Sequence, residues 1–204
     1  MAVEPLVCII DDDAEFANSL AVLVQSMGVR AQTFPSADAY VEQFDPLIPG
    51  CLILDVRMQR TSGLALQERL ASLPLSPPVI IMTGHAEVPT ALRAMRMGAV
   101  DFLQKTFQES ELYDAIQRAL EQDSRTRAAY FRKEAIDRRF AQLTAAERAV
   151  LDQVLQGEAN KSIAANLGVS RRTVEDRRAR IMMKLEVDTL ADLVRISLEA
   201  GSHI

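Results

Sequence analysis

The order of hydrophobic and polar positions divides roughly the first 120 residues into short apolar runs that alternate with amphipathic segments. Such runs are typical of strands that are buried on both faces of a parallel sheet. Runs of this kind cover residues 6–10, 51–54 and 79–82, and two further strands are predicted at residues 29–34 and 100–103. Between and after these strands, apolar residues at helical spacing predict helices over residues 14–27, 36–44 and 63–73. Two further helices are predicted, one that begins at Pro89 and one that begins at Glu109. Five strands that alternate with helices predict an α/β domain with a doubly wound parallel sheet.

The pattern beyond residue 108 is helical. All prolines lie between Pro5 and Pro89, and no glycine occurs between Gly98 and Gly157, so a helix can continue to about Phe140 without a breaker. We interpret residues 123–140 as a helical linker. A flexible charged linker is the alternative, although linkers usually contain Gly, Ser or Pro. A further hypothesis is that this helix forms a dimer contact through Leu120, Tyr130 and Phe131.

Residues 141–204 carry the signals of a small all-helical domain. Thr144 and Glu147 have the spacing of a capping box, and Gly168 marks a tight turn between two helices. Helix, short turn and helix form the helix-turn-helix arrangement, whose second helix enters the major groove of DNA. The helices are predicted at residues 145–156, 161–167, 171–185 and 189–200.

Charge changes sign between these two parts. Residues 1–122 carry 8 Lys and Arg against 16 Asp and Glu, whereas residues 123–204 carry 15 against 12. An acidic first part and a basic second part indicate two partners of different charge. No apolar run approaches the roughly 20 residues that span a bilayer. The first apolar run is stopped by three aspartates and does not resemble a signal peptide, so we expect a cytoplasmic protein without a membrane partner.

Cysteine and histidine do not suggest a metal or redox site. Cys8 and Cys51 lie in apolar runs and are expected to behave as small buried hydrophobic residues. His85 and His203 are too far apart in sequence to suggest a pair of metal ligands.

One predicted strand places a single carboxylate where parallel sheets bind ligands. In CLILDVRM, residues 51–58, four apolar residues lead directly to Asp55 at the carboxyl end of the strand. Taken alone, Asp55 could equally cap a loop. The other strand ends supply matching groups, which are Asp11, Asp12, Asp13, Thr83 and Lys105.

Clustered carboxylates require a cation. Two carboxylates about 4 Å apart repel by roughly 4 kcal/mol at an effective dielectric of about 20. Mg²⁺ suits such a cluster because it takes carboxylate, carbonyl and water oxygens and keeps positions free for phosphate oxygens. The strand ends therefore predict a phosphoryl-transfer site.

The motifs IIDDD, LILDVRM, IIMTGH and DFLQKTF occur in an order and spacing that resemble the receiver domain of two-component response regulators. The resemblance covers about residues 4–122 and implies a flavodoxin-like fold. It implies that Asp55 is the phospho-acceptor, a carboxylate nucleophile that attacks a phosphohistidine. It also implies that Mg²⁺ is held by Asp11, Asp12, Asp55 and the backbone carbonyl of Arg57. Asp13 falls outside this set and is better interpreted as a helix N-cap.

The same resemblance gives roles to Thr83, Phe102 and Lys105. Lys105 and the Thr83 hydroxyl would each contact a phosphoryl oxygen. Movement of Thr83 would open space into which Phe102, the switch residue, could turn. The sequence departs from the family at Thr106 and Gln59, where proline is usual or common. A cis peptide before a non-proline residue costs about 2.5–4 kcal/mol, so we expect the Lys105 loop to be either trans and reshaped, or strained.

Residues 143–198 resemble the LuxR-type DNA-binding domain through LTAAERAVL, NKSIAANLGVS, RRTVE and KL. A run of charges on a helix is by itself more often a solvated face, but here the run lies on the second helix of the motif. The resemblance implies DNA contacts by Lys161, Arg171, Arg172, Thr173, Glu175, Arg177, Arg178 and Lys184. Asp176 and Arg177 differ from the residues that are frequent in the family, so the base preference is expected to differ.

Both resemblances together imply a response regulator of the NarL/FixJ type. We expect a receiver at 1–122, a helical linker at 123–140 and a helix-turn-helix domain at 141–204. The expected function is phosphorylation-controlled transcription regulation, and we expect that the protein is not an enzyme. The expected partners are double-stranded DNA, a sensor histidine kinase, a second copy in a homodimer, and RNA polymerase.

Two rival functions remain. A small-molecule phosphatase with an aspartyl nucleophile would typically carry a D-x-D run and a cap insertion, and no such insertion is visible. A receiver-like module that binds DNA or protein without phosphorylation is the second rival, and Thr106 and Gln59 keep it open.

Overall fold

The computed structural model describes residues 3–58, 62–84 and 88–201. Gln59, His85 and His203, which the sequence singled out, lie outside the described residues. The chain forms two compact units, Met1–Ala128 and Ala129–Ile204. None of the described helices is both long and apolar enough to cross a membrane.

The first unit contains a five-stranded sheet in which every neighbouring pair is parallel. In chain order the strands are β1 (Leu6–Ile10), β2 (Arg30–Phe34), β3 (Gly50–Asp55), β4 (Val79–Thr83) and β5 (Asp101–Gln104). Their order across the sheet is β2-β1-β3-β4-β5, which confirms the predicted doubly wound topology. All residues of β3 and β4 are buried, because both strands lie in the interior of the sheet. The carboxyl ends of the five strands share one edge.

Helices cover both faces of this sheet. They are α1 (Ala14–Ser26), α2 (Ala37–Gln43), α3 (Gly63–Ala71), α4 (Val88–Arg96) and α5 (Glu109–Ala141). Alternate strand residues point to opposite faces, so Ile53 and Met82 pack with α1 and α5, whereas Leu54 and Ile81 pack with α2, α3 and α4. The two faces therefore have separate apolar cores.

α5 is one helix of 33 residues, as predicted from the absence of breakers. Of the three residues suggested for a dimer contact, Leu120 packs against the core of the first unit. Phe131 is 42% exposed, and its ring packs edge-on against Tyr130. The dimer contact stays a prediction.

Two buried charged side chains fix the middle of α5 to the first unit. Asp123 and Arg127 form an ion pair with a distance of 2.7 Å. Asp123 also accepts a hydrogen bond from the backbone N–H of Gly50, and the Arg127 guanidinium donates to the carbonyls of Pro46 and Ile48. Because every one of these polar groups has a partner, the network ties α5 to the first residue of β3.

The second unit is a helical bundle formed by the end of α5 and four further helices. These are α6 (Ala145–Leu155), α7 (Asn160–Leu167), α8 (Arg171–Leu185) and α9 (Leu190–Glu199). The predicted capping box at Thr144 and Glu147 is present. Gly168 ends α7 in the left-handed conformation, with φ of 64°, which glycine adopts without strain. α7, this turn and α8 form the predicted helix-turn-helix.

Candidate functional site

Three carboxylates meet at the carboxyl edge of the sheet. Asp11 and Asp12 follow β1, Asp55 ends β3, and each offers an oxygen within 4.8 Å of the others. Asp11 and Asp55 are only 3% and 6% exposed, whereas Asp12 is exposed. The sequence had predicted this cluster from the strand ends. Three hard oxygen donors in one place are a suitable set for a divalent cation such as Mg²⁺.

Asp13 lies at the start of α1 and does not belong to this cluster. Its carboxylate accepts hydrogen bonds from the backbone N–H groups of Glu15 and Phe16, which is the N-cap interaction that was predicted. Its own N–H donates to the carboxylate of Asp11, at 3.0 Å. The cap of α1 therefore also orients Asp11.

Gly63 sets the backbone around Asp55. Its N–H donates to the carbonyl of Val56, and a Cβ added at this position would lie 2.2 Å from the carbonyl oxygen of Asp55. Only glycine allows the first turn of α3 to approach so closely. The sequence predicted only that Gly63 starts a helix, because nothing in the sequence shows which strand end this helix approaches.

Lys105 supplies the positive charge of the site. Its ammonium nitrogen lies 2.7 Å from Asp11 and 3.2 Å from Asp55, and its side chain is 20% exposed. Burial alone would lower the pKa of this ammonium group, but the hydrogen bonds and charges of the two aspartates outweigh burial and raise the pKa above its usual value. The same ammonium group lies over the ring of Phe16, 4.5 Å from its centroid. The sequence did not indicate a role for Phe16.

Burial has the opposite consequence for Asp11. Removal from water raises the pKa of the Asp11 carboxyl, and the hydrogen bonds from Lys105 and Asp13 only partly oppose that rise. Lys105 thus partly neutralises the buried acids, and a divalent cation would neutralise them further.

The loop after β5 has an ordinary backbone. No cis peptide bond occurs among the described residues, so the bond between Lys105 and Thr106 is trans. The N–H of Lys105 donates to the carbonyl of Thr83, at 2.9 Å, which continues the pairing of β4 with β5. Of the two conformations expected at Thr106, the structure has the trans one.

Thr83 and Phe102 occupy neighbouring strands. Thr83 ends β4, next to the strand that carries Asp55, and is 1% exposed. Phe102 lies in β5, where it pairs with Ile81 of β4. Its side chain is half-buried against the core formed with α2, α3 and α4. The roles that the resemblance implies for Thr83 and Phe102 stay predictions.

α8 presents a basic face in the second unit. Val174, Ile181 and Leu185 are its buried positions, and Arg171, Arg172 and Arg180 are exposed. Ser170 caps its N-terminus by accepting from the N–H of Thr173. Contacts within the unit restrict two arginines, because Arg171 pairs with Glu175 and Arg178 donates to Asn160. Arg172 and Arg180 are thus the arginines of this helix that the described contacts leave most accessible.

Lys184 has a structural partner. Its ammonium group lies 2.7 Å from the Glu147 carboxylate, which is 4% exposed, and it also donates to the carbonyl of Gln142. Hydrogen bonds from Lys184 and from Thr144 lower the pKa of the Glu147 carboxyl to about 2. This contact holds α8 to the start of α6.

A receiver-like α/β unit with an acidic cluster, followed by a helix-turn-helix unit, defines a DNA-binding signal-transduction protein. The chain belongs to the response regulators that combine a receiver with a LuxR-type DNA-binding domain. Residues 7–117 match the response regulator receiver domain, and residues 141–197 match the bacterial regulatory proteins of the luxR family.

Relatives match nearly the whole chain. The transcriptional regulatory protein FixJ of Azorhizobium caulinodans is 40% identical over 95% of this chain and 92% of its own length. Nodulation protein W of Bradyrhizobium diazoefficiens is 39% identical over 96% of this chain and 86% of its own length. The structure of the response regulator StyR has 37% identity and a TM-score of 0.90, and the match covers 97% of this chain and 100% of StyR.

Membership of this family decides between the functions that the sequence left open. The protein is a phosphorylation-controlled transcription regulator of a two-component system, and its family is not one of enzymes. The phosphatase rival is therefore wrong, and the expected NarL/FixJ type is confirmed.

Proposed function

We propose that Asp55 accepts a phosphoryl group from a sensor histidine kinase and that this modification controls DNA binding by α8. The observation that carries the proposal is the arrangement of Asp11, Asp12, Asp55 and Lys105 around one point at the strand ends. Asp55 is the acid that ends the central strand β3, which lies between β1 and β4, and Asp55 itself pairs with Met82 of β4.

Mg²⁺ fits the donor set of this site. Asp11, Asp12, Asp55 and the backbone carbonyl of Arg57 would hold it, since all four are hard oxygen donors. When bound, the ion supplies positive charge that stabilises the oxygens of a phosphoryl group. The N–H of Arg57 donates to the Asp55 carboxylate, at 3.3 Å, which ties the backbone of this loop to the acid.

The protein's own groups account for the remaining chemistry. A carboxylate oxygen of Asp55 attacks the phosphorus of a phosphohistidine, the P–N bond breaks, and the electron pair leaves with the imidazole, which takes up a proton. The product is an acyl phosphate with three anionic oxygens. Lys105 then pairs with one of these oxygens and the Thr83 hydroxyl donates to another. Phe102 is proposed to turn toward the space that Thr83 vacates.

The second unit supplies the DNA-binding surface of the proposal. Exposed basic side chains on α8 can neutralise phosphates, and the N-terminal part of the helix is suited to the major groove. The proposed contacts are Lys161, Arg171, Arg172, Thr173, Glu175, Arg177 and Arg178. Lys184 was predicted with them, but its pairing with Glu147 favours a structural role.

The domain boundaries and the remaining partners are also proposals. The Asp123 and Arg127 network supports moving the start of the linker from residue 123 to residue 129, because both side chains are buried and the first unit extends to Ala128. We propose a cytoplasmic protein that acts as a homodimer on double-stranded DNA and contacts RNA polymerase. These partners follow from the family and not from the site itself.

Labelling with a phosphoryl donor tests the central assignment. The full chain is incubated with acetyl phosphate and Mg²⁺, and acyl phosphate is measured by intact mass. The wild type and the control Asp38→Asn, an exposed acid on α2, should both gain one phosphoryl group. Asp55→Asn should gain none, and a labelled Asp55→Asn chain would show that another residue is the acceptor.

A further inference from the structure

An aromatic ring covers the cation of the acidic cluster. The Lys105 ammonium nitrogen lies over Phe16, and the same nitrogen is within hydrogen-bond distance of Asp11 and Asp55. We propose that Phe16 is a positioning residue, whose ring holds the Lys105 ammonium group between the two carboxylates and thereby weakens Mg²⁺ binding there. This inference rests on the proposed function, in which the same carboxylates hold Mg²⁺.

The backbone alone does not determine where the ammonium group lies. The N–H of Lys105 is fixed by the carbonyl of Thr83, and the next peptide is trans. Beyond the backbone, lysine has a flexible four-carbon stem that ends in a compact charge. The contacts of the charge therefore set its position, and these contacts are two carboxylates and one ring.

The position of the Phe16 ring is set independently of Lys105. Its backbone N–H donates to the Asp13 carboxylate, so the residue is fixed in the first turn of α1. Its side chain packs against the core that α1 and α5 share. The ring is thus held by the N-cap and by the core, which makes it a fixed surface for a mobile ammonium group.

The ring attracts the ammonium group of Lys105, whereas a bound Mg²⁺ ion would repel it. A cation over the face of an aromatic ring is attracted more strongly when it is partly removed from water, and the Lys105 side chain is only 20% exposed. A divalent cation held by Asp11 and Asp55 would repel the ammonium group from the position it occupies over the ring. Some of the attraction of the ring is then lost, so the ring lowers the affinity for Mg²⁺.

Graded fluorination of the ring tests this inference. Phenylalanine with one, two or three fluorine atoms is introduced at position 16 of the full chain, which withdraws charge from the ring face with little change in size. Mg²⁺ affinity is measured by titration of backbone amide NMR signals. The dissociation constant should fall stepwise, by about two- to fivefold in total, which is the usual range for a cation over an aromatic ring.

Substitutions and a matched position provide the controls. Phe16→Leu keeps an apolar side chain without a ring and should also bind Mg²⁺ more tightly, whereas Phe16→Tyr should resemble the wild type. Phe44 is half-buried at the end of α2, and among the described residues no cation lies over its ring. The same fluorination at Phe44 should leave the dissociation constant unchanged.

The outcomes separate this inference from the proposed function. A dissociation constant that stays constant or rises along the Phe16 series, in a chain whose wild type binds Mg²⁺ and is labelled at Asp55, would overturn the role of Phe16 alone. A wild type that neither binds Mg²⁺ nor accepts a phosphoryl group would overturn the proposed function, and the inference with it.

Discussion

The contact between Lys184 and Glu147 separates a structural role from a DNA-binding role. The Glu147 carboxylate is buried, accepts from Lys184 at 2.7 Å, and also accepts from the backbone N–H and the hydroxyl of Thr144. In Lys184→Met the carboxylate would stay buried without its cation. Breaking a buried ion pair by removing one partner is strongly destabilising because an uncompensated charge is left behind.

The pKa of Glu147 gives the magnitude. A carboxyl group whose pKa falls from its usual 4.5 to about 2 contributes up to about 3.5 kcal/mol to folding at neutral pH, at about 1.4 kcal/mol for each tenfold change. The Lys184 side chain remains 26% exposed, so water screens part of the attraction. We expect Lys184→Met to destabilise the second unit by about 2 kcal/mol.

The pH dependence has a definite sign. Because the folded pKa of Glu147 is depressed, the contribution is complete above the usual carboxyl pKa and is lost as the pH falls through about 2. The difference between wild type and Lys184→Met should therefore be largest near pH 7 and fall to less than half at about pH 3.

Amide hydrogen exchange measures this effect in the full chain. Peptides from α6 and α8 should exchange about 30-fold faster in Lys184→Met at pH 7, which corresponds to about 2 kcal/mol. Adding Glu147→Gln to the variant should recover part of the protection, since no buried charge then remains. Unchanged exchange at pH 7, together with a DNA-binding salt slope that is smaller by about one, would refute the reasoning and make Lys184 a phosphate contact.

Two further substitutions test the DNA-binding surface and the middle of α5. Arg172→Ala should weaken DNA binding and reduce the salt slope of binding by about one. Lys133 is an exposed lysine on α5, so the control Lys133→Ala should change neither quantity. Equal salt slopes for the wild type and both variants would show that Arg172 does not contact DNA. Arg127→Met should destabilise the first unit by about 3 kcal/mol, because Asp123 would stay buried without its cation. Hydrogen exchange of the backbone at residues 44–50 reports this loss, and protection equal to that of the wild type would mean that the network is dispensable.

The fold followed from the sequence because its signals are local. The strands β1, β3 and β4 are apolar or nearly so, and apolar residues at helical spacing mark the helices between them, so these elements could be placed to within a few residues. The acidic cluster was also predictable, since parallel strands bring their carboxyl ends to one edge and Asp11, Asp12 and Asp55 all follow strands.

Contacts that depend on how helices and loops pack against one another could not be predicted. The sequence placed Lys184 among basic residues that face outward, and only the packing of α8 on α6 shows that Glu147 lies beside it. Asp123 and Arg127 had the appearance of ordinary linker charges. Their burial depends on the approach of a loop about 80 positions away in the chain, which no local pattern encodes. The ring of Phe16 over Lys105 is a contact of the same kind.

The central strand is held at its start and buried along its length, and this constrains how a change at Asp55 can spread through the first unit. At its start, Gly50 donates to Asp123 of α5, and a Cβ at this glycine would lie 1.8 Å from the carbonyl oxygen of Leu6, so the backbone has no room to shift. Between its ends every residue of β3 is buried. A close-packed strand of this kind does not slide. The phosphorylation proposed at Asp55 should therefore leave β3 in place and act through Thr83, at the end of the neighbouring strand β4, and through Lys105, which follows β5, toward Phe102 and α4.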